Sequence, residues 1–211
     1  MQEFLGMLQT KAWRTAGARY NAARRLNMRE AMSMWSLTLL SALSIAVAFF
    51  QKVYSPQSGT PLDNYLTVAA MTLGVFLLIL SLLEWGAKYG ARAEALHRNA
   101  ELLTAFHLKV AFTIKHAEYA TTITPCVVDK LRIEYEEIKD RCGTNHHPRD
   151  DALFRAYHRN SPEFTSNGKP RIIWIESQWI KIIWILSEAW IFIAIWLLVA
   201  IAVSFLPDFS H

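Results

Sequence analysis

One stretch of the chain carries residue types that could bind a metal: Cys142, then Asn145-His146-His147-Pro148-Arg149-Asp150-Asp151. A thiol, two imidazoles and two carboxylates are all zinc-ligand types. Their spacing fits no standard finger, and a catalytic zinc would also need an organised second shell. The same residues read more simply as a turn closed by a helix cap at Asp150 or Asp151, whose carboxylate accepts from free backbone N–H groups at a helix start. The capping reading is preferred, and no metal or cofactor is expected. His97, His107 and His116 recur at intervals of ten and nine residues. Ten residues is about 280° of helical turn, so they share no face and read as polar surface. Nucleophile-elbow, phosphate-loop and zinc-protease motifs are absent from the sequence, and nothing in it points to an enzyme.

A second kind of chemistry lies in polar side chains within apolar helices, where they are costly and face a bundle interior or water. Glu30, Ser33, Ser41, Ser44 and Ala48 fall within about 80° of helical arc, taking 100° per residue. Leu37 and Leu40 interrupt that stripe. If it lines a pore, Leu37 is a candidate constriction that closes by dewetting. The alternative is ordinary packing, in which small and hydroxyl residues let helices approach. Ala70 and Gly74 form a small-xxx-small pair, read as the contact with the first span or with a neighbouring subunit. Ser177, Lys181, Trp184 and Glu188 lie at offsets 0, 4, 7 and 11. They make one narrow helical stripe with charges in or beside the membrane.

The elements that carry these residues are long apolar runs. Ala31–Gln51, Asn64–Leu83 and Ala189–Pro207 hold 21, 20 and 19 residues with no Lys, Arg, Asp or Glu. About 20 apolar residues suffice to cross a bilayer core of about 30 Å. The predicted fold is an all-α membrane protein. Residues 1–32 form a basic amphipathic helix and 33–83 a two-span hairpin. Residues 84–170 form a cytoplasmic helical segment, and 171–211 a Trp/Ile-rich helix that becomes a third span. For this last segment an interfacial helix with a short re-entrant stretch competes.

Charge sets the expected orientation. Residues 1–32 carry six basic and two acidic residues, and residues 84–171 fourteen and twelve. The 52–63 connection carries one of each. Basic residues close to a span stay inside, so the N-terminus and the middle segment face the cytoplasm and the connection faces out. Pro56, Gly59 and Pro61 make that connection a turn. Trp35 and Trp85 mark the inner boundary, Tyr54 and Tyr65 the outer one. From Phe4 to Arg29, Leu8, Trp13, Ala16, Tyr20 and Ala23 share an apolar side with the arginines elsewhere. This helix can lie on anionic headgroups, pack on the middle helices, or do both. Glu84–Tyr119 reads as one long helix continuing the second span, and Pro125 ends or breaks it. Val127–Arg141 is a further helix, Asp150–His158 a short one, and Ser161–Pro170 a loop. Both cysteines, Cys126 and Cys142, fall in the segment placed inside, so no disulfide is expected. The positive balance reflects topology, and no nucleic-acid contact is expected.

Three short runs resemble a known family. Ala18-Arg19-Tyr20-Asn21-Ala22-Ala23-Arg24-Arg25-Leu26 precedes the hairpin, and Leu96-His97-Arg98-Asn99-Ala100-Glu101-Leu102-Leu103 comes after it. Both resemble the SLATT domain, the SMODS- and SLOG-associating two-transmembrane effector domain of bacteria. Asn145-His146-His147-Pro148-Arg149-Asp150-Asp151-Ala152-Leu153-Phe154 is similar to a motif of one subfamily, whose genes tend to neighbour reverse transcriptases. The resemblance covers roughly residues 10–160, and the Trp/Ile segment departs from a two-span plan. It implies a pore-forming effector of an antiviral system in the bacterial inner membrane, working as a homo-oligomer in the lipid bilayer. It also implies control by a sensor or reverse transcriptase partner encoded alongside. A non-conducting membrane anchor for a soluble partner is the alternative.

Overall fold

The computed structural model describes residues 1–54, 59–119 and 123–204. Six α-helices are present among them: α1 Gln2–Tyr54, α2 Pro61–Ala87, α3 Tyr89–Tyr119, α4 Pro125–Asp140, α5 Pro148–Tyr157 and α6 Trp174–Ser204. Stretches of α1, α2 and α6 are each long and apolar enough to cross a membrane. The protein is an all-α membrane protein. It divides into two compact units, one of Met1–Asn27 with Gly90–Ser187, the other of Met28–Tyr89 with the chain from Glu188 onward.

In the first unit, the N-terminal part of α1 packs on α3 and α4. Leu5, Leu8, Ala12 and Ala16 form one core with Leu103, Phe106, Val110, Leu131, Tyr135 and Ile138. Their spacing of three and four residues on each helix is the amphipathic period. Of the two readings of the N-terminal helix, packing on the middle helices is what this unit shows. The arginines do not all lie away from the packed side, because Arg19 is buried. His107 is tied to α1, its Nδ1 lying 3.2 Å from the Gln9 carbonyl oxygen. It is therefore not the free surface residue its spacing predicts.

Gly17 on α1 packs directly under Phe154 of α5. A Cβ there would lie 2.0 Å from Cε2 of Phe154. The Phe154 ring cannot swing aside, since Trp13, His158 and Phe164 surround it with ring centroids 4.8, 4.2 and 6.1 Å away. Overpacking of this kind costs about 1–3 kcal/mol. Gly17→Ala should therefore lower the melting temperature of the detergent-solubilised protein, although alanine is the better helix former. An unchanged or raised melting temperature would contradict the packing.

Two breaks differ from the sequence expectation. The predicted Glu84–Tyr119 helix is interrupted at Lys88, which caps α2 in the left-handed region at φ 48°, ψ 44°. That conformation costs a non-glycine residue roughly 1–2 kcal/mol, and Gly86 and Gly90, two residues to either side, weaken the helix there. The predicted Ser161–Pro170 loop contains a 3₁₀ turn, Pro162–Phe164, and a two-residue hairpin pairing Thr165–Ser166 with Lys169–Pro170. Asn167 and Gly168 close it with φ of 51° and 73°, the positive values that an Asn-Gly hairpin turn demands.

In the second unit, α1, α2 and α6 meet through Leu40, Leu80, Phe192 and Ile195. At the start of α2 the Thr60 hydroxyl accepts from the Asp63 N–H at 3.3 Å, with Pro61 in the first turn. Gln51 Nε2 donates to Asp63 Oδ1 and to Thr67 Oγ1, each at 2.9 Å, joining α1 to α2. The Tyr65 hydroxyl donates to the Ala202 carbonyl at 2.5 Å, joining α2 to α6. The expected turn residue Pro56 and the Tyr54 side chain lie outside the described residues.

Candidate functional site

Asp150 is the most buried charged side chain described, with no exposed surface. It is the third residue of α5, and its Oδ2 accepts from the His147 backbone N–H at 2.9 Å. His147 is the cap residue, its Nδ1 accepting from the Arg149 N–H at 3.3 Å. The sequence expectation of a cap at Asp150 or Asp151 is thus corrected by three or four residues. A carboxylate is the natural partner for an N-cap N–H, because the helix start is positive. Helix α1 supplies the counter-charge: Arg25 Nε donates to Oδ1 at 3.0 Å and Nη2 to Oδ2 at 3.3 Å. Helix α6 supplies the Trp184 indole N–H, which donates to Oδ1 at 2.9 Å. One turn earlier on α1, Asn21 Nδ2 donates to the Asp150 carbonyl at 3.0 Å. Burying a carboxylate is costly unless it is paired and hydrogen-bonded. Here both oxygens are used, and α1, α5 and α6 converge on them.

A second buried group closes the C-terminal end of α4. Arg19 donates to Asn99 Oδ1 and, through Nη2, to the Lys139 carbonyl at 3.2 Å. Asn99 Nδ2 donates to the Ile138 carbonyl at 2.6 Å. The last carbonyls of a helix have no partner within it and carry partial negative charge, so a cation and an amide there satisfy both needs. Burial lowers the Arg19 pKa, against the opposing pull of Cys142, Tyr135 and Asp140. Burial, followed by the charge of Arg19, also holds His146 below the usual imidazole range, which favours its neutral form. Burial works against the Asp151 carboxylate, yet the Arg14 hydrogen bonds at 2.5 and 2.6 Å bring its pKa down overall. Together the two groups draw on all three runs that carry the family resemblance: Arg19, Asn21 and Arg25 from the first, Asn99 from the second and Asp150 from the third.

The α6 stripe faces inward in the first unit. Ser177 Oγ donates to the Ala156 carbonyl at 3.2 Å, and Trp184 reaches Asp150. The Lys181 ammonium lies 4.7 Å from the centre of the Tyr157 ring, a cation–π contact in place of a carboxylate partner.

In the second unit a charged latch joins all three apolar helices. Glu188 on α6 is buried, and its Oε2 accepts from Arg29 Nη1 on α1 at 2.8 Å. Glu84 on α2 stands 4.0 Å from Arg29 Nη2. The Arg29 guanidinium also lies 4.5 Å from the centre of the Tyr89 ring. Each of these three charged residues is at or next to one end of an apolar run. That is the signal the sequence offers for the latch, though nothing in the sequence pairs them.

The five pore-lining candidates do not share one environment. Glu30 is half-buried. Ser33 is buried, and its hydroxyl has no hydrogen-bond partner. Leu37 packs against the Leu40, Leu80, Phe192 and Ile195 core. Ser41 is exposed and Ser44 half-buried. Ala70 is half-buried and Gly74 exposed, and a Cβ at Gly74 would meet nothing within 4 Å. The α2 contact within the unit runs instead through Leu73, Leu77 and Leu80.

No curated protein and no solved structure matches this chain. A family model, described as the SMODS and SLOG-associating 2TM effector domain family 5, matches residues 1–206. The match takes in α6, which the sequence resemblance over residues 10–160 leaves out. With the three resembling runs meeting in two buried groups and the family model spanning nearly the whole chain, the protein belongs to SLATT family 5, a family of membrane effector domains.

Proposed function

We propose that this protein is an oligomeric, membrane-permeabilising effector of a bacterial antiviral system, held closed until a sensor partner releases it. The observation that carries the reading is the latch of Arg29, Glu84 and Glu188, which ties α1, α2 and α6 together by charge. Charges buried among apolar helices are expensive to separate, and such sites in membrane proteins tend to be functional. The positive-inside rule puts the N-terminus and the Asp150 unit in the cytoplasm of a bacterial inner membrane. There a sensor, such as a reverse transcriptase encoded alongside, would act on α1 and α6, the two helices that supply Asp150 with Arg25 and Trp184. In the closed form Leu37 is packed inside the protomer. Release lets α1 present Ser33, Leu37, Ser41 and Ser44 to a conduit between copies, with Glu30 at its mouth.

Leu37→Ser tests the reading, because wetting that point removes a dewetting barrier. It should raise resting leak and toxicity, whereas Leu39→Ser, about 200° around the helix, should not. Equal behaviour at matched membrane abundance would make the stripe a packing seam and favour a non-conducting anchor. The packing of Leu37 within the protomer is the observation on that side.

A further inference from the structure

Among the described residues, the face of α6 opposite its buried stripe has no partner. Ile175, Trp179, Ile182 and Leu186 are 59, 59, 46 and 46% exposed, and Ile183 beside them 53%. Their steps of 4, 3 and 4 residues make an 11-residue unit, and Leu186, Trp190, Ile193 and Leu197 repeat it. Eleven residues in three turns is about 3.67 per turn, the period of a seam between helices that are nearly straight. The helix cannot roll to hide this face, because Ser177 and Trp184 on its other side are bonded to Ala156 and Asp150.

We propose that this stripe is a seam against the same stripe of a second copy of the chain. The inference rests on the oligomeric reading above and names the surface that builds the oligomer. Two features favour protein over lipid as the cover. In the first unit the stripe is edged by Glu176 and Ser187 on one side and Gln178 on the other, with Trp174 and Ile185 beyond. From Ala189 to Ser204 the helix has no charged residue on any side. A lipid-facing surface needs no polar edges, whereas a helix seam has them. The size also fits. The five side chains present on the order of 500 Å² of apolar surface, at the upper end of what monomers leave bare. Two such stripes face to face cover on the order of 1,000 Å² in all, the area from which a biological interface begins. A repeating stripe on one helix is self-complementary across a symmetry axis, and its tryptophan is the usual kind of anchor.

The test uses the full chain in membranes with Cys126→Ser and Cys142→Ser as background. Ile175→Cys and Ile182→Cys should each cross-link into dimers with a short bismaleimide, several-fold more than Glu176→Cys. Native electrophoresis of the uncross-linked parent reports the assembly state separately. If the parent is oligomeric but the seam positions cross-link no better than Glu176→Cys, the seam is wrong and the oligomeric reading stands. A monomeric parent overturns both. A nitroxide on Ile182→Cys that meets dissolved oxygen far more than a water-soluble nickel chelate would assign the stripe to lipid and overturn the seam.

Discussion

Asp150→Ala is expected to unfold the unit built from Met1–Asn27 and Gly90–Ser187. The substitution removes the acceptor for Arg25, for the Trp184 indole and for the His147 N–H. The cation is left with only 16% of its side chain exposed. Removing one partner of a buried charged pair costs about 3–5 kcal/mol, a large share of a typical stability of 5–15 kcal/mol. Hydrogen exchange should therefore speed up together in α4, α5 and the first part of α6. Asp150→Asn should fall between, since it keeps one carbonyl acceptor but turns an amide donor toward other donors. Asp151→Asn is the matched control. Its partners Arg14 and Arg155 are 47% and 40% exposed, so both cations stay solvated when it is neutralised and the effect should be smaller. If Asp150→Ala exchanges like the parent, the buried carboxylate does not organise this unit.

Loss of the latch is expected to leave the membrane leaky without any trigger. Arg29→Gln leaves Glu188 buried without the guanidinium it meets at 2.8 Å. Truncating one side of such a pair costs about 2–5 kcal/mol. That is enough to repopulate a second arrangement of three helices if the two states lie within a few kcal/mol. Glu188→Gln should leak as well. The pair Arg29→Gln with Glu188→Gln, which removes both partners of the 2.8 Å contact and leaves only Glu84 without the guanidinium 4.0 Å from it, should be quieter than Arg29→Gln alone. Dye leakage from cells at matched membrane abundance reads all three. Additive leakage in the double variant would mean that the two residues act independently.

How legible this was from the sequence varied with the physics involved. The three apolar helices were legible because 19–21 residues without charge leave few alternatives. The face Leu131, Tyr135 and Ile138 of α4 was legible for the same reason, since periodicity reports burial directly. The stripe Ser177, Lys181, Trp184 and Glu188 could be placed on one face, but its partners could not. Asp150, Tyr157 and Arg29, which meet Trp184, Lys181 and Glu188, are each charged or amphipathic, and spacing along one helix says nothing about the helix opposite. Arg19 was the clearest miss. A basic residue in a basic helix reads as surface, and only the free carbonyls of Ile138 and Lys139, about 120 residues away, explain its burial. The break at Lys88 is flanked by Gly86 and Gly90, but an isolated glycine inside a helical run is often tolerated and does not fix a boundary.

The most direct test of the central claim is membrane potential during induced expression of the full-length protein. It would be read with a potential-sensitive dye, with and without the genes that flank its own. A permeabilising effector should depolarise the inner membrane when its trigger is supplied and stay silent when it is not. Arg29→Gln should depolarise in both cases. A potential that holds in every combination, with all proteins present in the membrane at equal amounts, would contradict the account and leave the protein an anchor.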